Sequence, residues 1–240
     1  NLENQVKSLE DRLRGMDPID IDPDEANRLT ELKAKLLDKE TAFIMLEGHC
    51  DVTFGDTKWE NIGNRSNVFE NRKAESFYMP REQQLAIEAV TKVKIAVCGT
   101  PVNEKTEHQV FRESHVKLKM LGEVPYQRET SFIIDGDSNA KVLTIGECYC
   151  TEGNWAGFPP HKHDVNDMPR ECVAEEIYYF LFEPKQGFGV QCLYTSDGSV
   201  LYDNVKQNQM VKRFERWLFD STRVVGEVSY PAAVETEYGY

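Results

Sequence analysis

The residues best suited to chemistry lie between positions 154 and 189, where His161 and His163 flank a single lysine and Glu175–Glu176 opens an aromatic run. Residues i and i+2 of a strand point to the same side of a sheet, so both histidines can face a barrel interior. If Glu176 also faces inward, with Glu175 pointing away, two imidazoles and one carboxylate converge. That set is the facial triad that binds divalent Zn, Mn, Fe or Ni. The alternative is a His-x-His pair that only decorates a strand.

The composition limits the function classes that this chain can serve. Its 240 residues carry a formal net charge of −13, which disfavours nucleic-acid binding and attachment to anionic membranes. No apolar run is long enough to span a bilayer, and the charged first residues argue against a signal peptide. The six cysteines include no CxxC pair, and Cys148 and Cys150 are spaced poorly for zinc. They are therefore predicted to be reduced core residues of a cytoplasmic protein.

The first 38 residues differ from the rest. A heptad spacing over residues 2–16 predicts a coiled coil that joins copies of the chain into a homo-oligomer. It is formed by Leu2, Val6, Leu9, Leu13 and Met16. After Pro18, a second helix is predicted to start at the N-cap Asp22 and to continue through Leu36 to about Leu37. The alternative is a pair of surface helices packed on their own domain.

From residue 39 onward the apolar pattern has period two, with turn signals such as Gly55-Asp56 and Asp197-Gly198. Short antiparallel strands in this arrangement indicate sandwiches or barrels. We therefore predict a mostly β protein with a helical extension at 1–38, a first barrel at 39–104, a linker at 105–129 and a second barrel at 130–240.

Several stretches resemble one known family. "GNWAGFPPHKHD" and "AEEIYYFLFEPKQGFGVQCLYTSDGS" are similar to the second barrel of the KduI/IolB family of 5-deoxyglucuronate isomerases, which act in inositol catabolism. "LEGHCDVTFGD", "NRSNVFENRKAESFYMP", "KIAVCGTPV" and "QRETSFII" resemble its first barrel and linker more loosely. The resemblance covers about two thirds of the chain, and its "PPHKHD…EEIYY" pattern is specific.

The resemblance implies a bicupin, a pair of jelly-roll barrels with one divalent metal in the second. It implies His161, His163 and Glu176 as metal ligands and an aldose–ketose isomerisation of a deoxyuronate, an intramolecular oxidoreduction. Such chemistry moves a proton between adjacent carbons, so Glu176 and Tyr178 are candidate catalytic groups and Gln191 a candidate substrate contact. The alternative for Tyr178 and Gln191 is a structural role in the core.

The chain departs from the family pattern near its end. The family has a further histidine late in the second barrel, whereas this chain has none after His163. Three explanations compete: a carboxylate such as Asp203, Glu215 or Asp220 replaces it, three ligands and solvent hold the ion, or the metal is lost.

Two function hypotheses follow. The leading one is a cytoplasmic, metal-dependent isomerase of a small sugar acid, and the intact "PPHKHD…EE" stretch favours it. The rival is a non-catalytic cupin-like assembly module, for example a surface or virion component, that oligomerises through residues 2–16. The missing histidine and the added heptads favour this rival.

Overall fold

The structure is a computed structural model that describes residues 38–156, 161, 163, 165–170, 173–194 and 199–212, together with the strand backbone at 19–21, 34–36, 219–231 and 235–237. The described residues form β-strands and one 3-10 turn at Glu113–His115. The earlier strands are β1 (Ile19–Ile21), β2 (Ala34–Leu36), β3 (Lys39–Phe54), β4 (Thr57–Arg65), β5 (Ser76–Met79), β6 (Gln83–Ala89), β7 (Val93–Pro101) and β8 (Gln109–Phe111). The later strands are β9 (Lys117–Leu121), β10 (Arg128–Ile134), β11 (Leu143–Cys150), β12 (Ala174–Glu175), β13 (Ile177–Tyr194), β14 (Val200–Lys206), β15 (Gln209–Lys212), β16 (Phe219–Pro231) and β17 (Glu235–Glu237).

The chain divides into two compact units. The first comprises Asn1–Lys117 and Ile133–Leu143, and it is organised around the 16-residue strand β3. The first half of β3 pairs with β5 and β7, and its second half pairs with β4 and β6, all antiparallel. One long, bent strand therefore serves two sets of neighbours.

The interior of the first unit is filled by apolar side chains. Phe43 and Phe77 stack with ring centroids 4.7 Å apart, and Phe54 meets Phe77 edge-on at 6.4 Å. Both arrangements are favourable for aromatic pairs. Met45, Val52, Ile62, Met79 and Leu85 complete a core that is at most a few per cent exposed. This interior is packed rather than open.

The second unit comprises Leu118–Phe132 and Thr144–Tyr240, and β13 is its longest strand. It pairs with β14, β15 and β16, while β11 lies on the other side of β16. The β13–β16 register shifts between Glu183 and Phe188, which marks a bulge. A bulge can change which side chains of one strand face inward, and this one bears on the site.

The secondary structure can be compared with the sequence predictions. The mostly β prediction is confirmed, and the described residues contain no α-helix. Residues 34–36, expected at the end of a helix, form a strand paired with β6, because backbone pairing to Gln83–Leu85 outweighs local helix propensity. The heptad residues 2–16 lie outside the described residues. The segment 105–129, expected as a linker, contains β8, the 3-10 turn and β9.

The described cysteines carry free thiols, in agreement with the sequence prediction. Burial raises the pKa of Cys98 to about 12, so this thiol is protonated at neutral pH and behaves as a small apolar group. No helix that is long and apolar enough to cross a bilayer occurs in the part of the chain that the structure describes.

Candidate metal centre

The two histidines and the glutamate meet because the chain doubles back between them. The carbonyl oxygen of His163 accepts a hydrogen bond from the backbone N–H of Ala174 at 3.1 Å. Ala174 begins β12, and Glu176 lies in the single-residue gap between β12 and β13. His161 and His163 were predicted to lie on a strand, but both are outside the strands, and this hydrogen bond holds their segment beside Glu176.

The ligand atoms of these residues are close to one another. The Nε2 atoms of His161 and His163 lie 3.9 and 3.7 Å from Oε1 of Glu176. The two imidazole rings are nearly perpendicular, at 84°, with centroids 5.1 Å apart. Among the described residues, one His/Cys/Asp/Glu group has ligand atoms that all lie within 4.8 Å of one another, and its members are His161, His163 and Glu176.

This geometry fits a divalent ion. Ligand atoms about 2.1 Å from an ion lie about 3.0–3.5 Å apart in octahedral or tetrahedral coordination. The observed spacings of 3.7 and 3.9 Å would close by a few tenths of an ångström on binding. The Glu176 side chain is 4% exposed and that of His161 is 42% exposed, so the group joins a buried carboxylate to a solvent-accessible imidazole. An ion could therefore be reached from solvent.

An aromatic cluster follows Glu176 on the same face of β13. Tyr178 and Phe180 stack with centroids 6.1 Å apart, as expected for residues i and i+2 on one strand face. Phe180 and Phe182 are fully buried with Cys150, and the half-buried Tyr178 packs against them. Tyr178 thus lies on the strand face that carries Glu176 and packs against the core cluster.

Gln191 reaches the same face through the bulge in β13. Phe182 is opposite Val228 and Gln191 is opposite Thr222, and these two partners are an even number of residues apart on β16. Because partners directly opposite share a face, Gln191 points to the side of Phe182 and Glu176. Without the bulge, the separation of nine positions between Phe182 and Gln191 would put them on opposite faces. Gln191 is 1% exposed, so its amide belongs to the interior.

None of the three carboxylates considered as replacements for the late histidine is seen to join the metal-binding group among the described residues. Asp203 is half-buried opposite Gln191 but does not belong to the group formed by His161, His163 and Glu176. Glu215 lies outside the described residues, and for Asp220 the structure describes the backbone of β16 only. The described part of the site therefore offers three ligand residues.

Sequence reasoning missed a polar group on the neighbouring strands of the second unit. Thr130 Oγ1 lies 4.0 Å from the Cys148 sulfur, and the Arg128 guanidinium hydrogen-bonds the same thiol. Burial raises the pKa of Cys148 to about 11, although Arg128 and Thr130 act in the opposite direction. The i, i+2 spacing of Arg128 and Thr130 in "QRETSF" was the available signal.

Comparisons with known proteins agree with one another. The sequence model of the KduI/IolB family matches residues 3–218. Proteins named 5-deoxy-glucuronate isomerase are 34% identical over 169 residues in Geobacillus thermodenitrificans and 36% identical over 166 residues in Halalkalibacterium halodurans. These alignments cover 70% and 69% of this chain but 62% of each relative. The chain thus spans about three fifths of the length of these curated relatives.

Solved structures show the same fold. A crystal structure of an IolB-like protein from Salmonella typhimurium has a TM-score of 0.82 at 26% identity, covering 87% of this chain and 80% of that one. An oxalate decarboxylase has a TM-score of 0.54 at 12% identity, covering 88% of this chain and 66% of that one, which is a likeness of fold alone. The fold is therefore cupin-like.

Proposed function

The chain belongs to the KduI/IolB family, and on that basis we propose that it is a metal-dependent isomerase that interconverts the aldose and ketose forms of a deoxyuronate. The curated relatives are named 5-deoxy-glucuronate isomerase, so that compound is the first substrate to test. The observation that carries the proposal is the convergence of His161, His163 and Glu176 within 4.8 Å. A family resemblance alone would not require these three side chains to meet.

The proposal assigns His161, His163 and Glu176 to a divalent ion, which would be Zn, Mn, Fe or Ni. When bound, such an ion supplies a positive charge that polarises a carbonyl and stabilises the negative charge developing on its oxygen. With three ligand residues in the described part of the site, solvent and substrate have room to complete the coordination.

The chain's own groups then handle the protons. Aldose–ketose isomerisation moves one proton from C2 to C1 and one from the C2 hydroxyl to the C1 oxygen, with no net oxidation of the molecule. In this proposal Glu176 accepts the carbon-bound proton and the Tyr178 phenol donates a hydrogen bond to the enediolate. The Gln191 amide lies on the same face and is suited to hold a substrate hydroxyl. The proposed reaction is cytoplasmic and needs no second cofactor.

Substitution of Glu176 tests the proposal, and the adjacent Glu175 provides a matched control. Glu175 belongs to β12, is half-buried and lies outside the metal-binding group. With 5-deoxyglucuronate and added divalent metals, Glu176→Gln should lower kcat/KM by at least about a thousandfold, because ligand and proton acceptor are lost together. Glu175→Gln should retain wild-type activity and metal content. A wild-type protein that turns over no uronate with any of these metals would contradict the proposal.

The rival hypothesis of an assembly module is not favoured by these observations. The heptads that motivate it lie outside the described residues, and the described site retains its three candidate ligands.

A further inference from the structure

The interior face of the second unit carries a cation. Arg128 and Thr130, two residues apart on β10, both contact the thiol of Cys148 on β11. Cys148 packs against the cluster of Phe180 and its buried neighbours, and Tyr178 packs against that same cluster. Arg128 is therefore on the face of the unit that also carries Tyr178 and, by strand alternation, Glu176.

Solvent reaches this face. Arg128, Thr130, Gly146 and Cys148 are all half-buried. The opposite face of β11 is closed, since Ile145, Glu147 and Tyr149 are 1%, 0% and 4% exposed, respectively. The partial exposure thus belongs to the face of Arg128 and Cys148, which is the face that a polar molecule can enter.

Arg128 differs from the other cations of this unit. Among the described lysine and arginine side chains of the second unit, Arg128 is half-buried and the others are exposed: Lys119, Arg170, Lys185 and Lys206. The nearest comparison is Lys119, whose ammonium lies 5.4 Å from the centre of the Phe132 ring but stays exposed. Arg128 is thus the described cation of this unit that is best shielded from water.

The positive charge of Arg128 and its partial burial together make it suited to bind a carboxylate. A carboxylate moved into a partly dehydrated interior is strongly disfavoured unless a cation or several hydrogen bonds meet it. Arginine meets a carboxylate with two parallel N–H bonds, and these strengthen as water is excluded. The Cys148 thiol beside Arg128 is neutral at pH 7, because burial raises its pKa to about 11, so the thiol does not cancel the guanidinium charge.

We propose that Arg128 binds the carboxylate of the sugar-acid substrate and makes this site select uronates over neutral sugars. The inference deepens the isomerase function proposed above and rests on it. It assigns Arg128 to recognition of the substrate end remote from the reacting carbons, while His161, His163 and Glu176 act at the carbonyl end.

Equilibrium binding tests the assignment without requiring turnover. Isothermal titration calorimetry on the full chain would compare D-glucuronate with D-glucose, its neutral counterpart, in wild type, Arg128→Met and Arg128→Lys. Loss of a charge-assisted bidentate contact should weaken glucuronate binding by about ten- to a hundredfold in Arg128→Met, with a smaller loss in Arg128→Lys. Glucose binding should not change. Lys119→Met is the matched control, because it removes an exposed cation of the same unit, and it should leave both affinities unchanged.

The outcomes separate this inference from the isomerase proposal. If wild type prefers glucuronate and Arg128→Met keeps that preference, the assignment of Arg128 is wrong and the isomerase proposal stands. If wild type binds glucuronate through Arg128 but isomerises no uronate, the isomerase proposal is wrong and the binding role stands. A wild-type protein without preference for the acid overturns the assignment. Arg128→Lys keeps the test decisive if Arg128→Met fails to fold, as judged by circular dichroism and bound metal.

Discussion

Two buried glutamates, Glu40 and Glu176, have different surroundings. Glu40, fully buried in the first unit, accepts hydrogen bonds from the backbone N–H groups of Lys141, Val142 and Leu143 at 2.7–2.9 Å and from the Tyr78 hydroxyl at 2.8 Å. Glu176 is almost as buried, but it faces two imidazoles. The first carboxylate therefore ties distant segments of the chain together, whereas the second has the surroundings of a metal ligand.

For the single residue Glu40, we expect the substitution Glu40→Gln to lower the free energy of unfolding. A glutamine would place an N–H₂ group opposite backbone N–H groups, which are donors as well. At least one of these N–H groups would then lose its acceptor. We expect this loss to lower the unfolding free energy by about 2–4 kcal/mol. Urea denaturation followed by fluorescence measures the change. Glu104→Gln, which alters an exposed ion pair with Lys141 at 3.3 Å, is the control and should leave the midpoint unchanged. Equal midpoints for both variants would show that the Glu40 network contributes little.

At the scale of elements, the β3–β4 pair of the first unit depends on a close backbone crossing. The register of the pair shifts twice, between Gly48 and Val52, and Gly63 stands at the crossing with a φ of +123°. A Cβ at Gly63 would lie 2.1 Å from the Gly48 carbonyl oxygen, so both the φ and the space require glycine. Gly48 of β3 has a φ of +76°, and a Cβ there would lie 2.0 Å from the Lys92 carbonyl oxygen, so the bend in β3 depends on both glycines.

Gly63→Ala should accordingly destabilise the first unit by about 3 kcal/mol or more, since a backbone clash adds to the strain of a positive φ. Differential scanning calorimetry would show this as a lower Tm. Gly136→Ala is the matched control, because nothing lies within 4 Å of the added Cβ and no left-handed φ is needed there. If Gly63→Ala had the same Tm as the wild type, the backbone at the crossing would have adjusted to the added methyl group with little loss of stability.

At the scale of the whole molecule, two compact β units carry different interiors. The first has an apolar cluster with Phe43, Phe54 and Phe77 at its centre, and its buried Glu40 is engaged in hydrogen bonds with the backbone of 141–143. The second combines a cluster of aromatic side chains with polar groups that include His161, His163, Glu176, Gln191 and Arg128. This contrast favours a structural role for the first unit and places the proposed chemistry in the second.

The predicted homo-oligomer belongs to this scale and remains a proposal. Two heptads are too short to form a stable isolated helix, so residues 2–16 should be helical only when packed against partner chains. Light scattering should then show a lower multiple of the chain mass for a protein lacking residues 1–20, and for Leu9→Glu. Lys7→Glu, which changes a charge outside the apolar positions of the heptads, should keep the wild-type mass. An unchanged mass for Leu9→Glu would argue against association through this segment.

Patterns that depend on neighbouring residues could be predicted from the sequence. Period-two alternation predicted a mostly β chain, because strand geometry fixes which neighbours share a face. The predicted group of His161, His163 and Glu176 does converge, although the two histidines lie outside the strands that the prediction assumed. Segment 34–36 was predicted wrongly, since its pairing with β6 arises from residues about fifty positions away. Only the tertiary structure placed Gln191 on the face of Glu176, because a bulge reverses the alternation between them. It alone brought Arg128 to Cys148 and the amides of 141–143 to Glu40. Those contacts depend on which strands become neighbours, and long-range packing decides that.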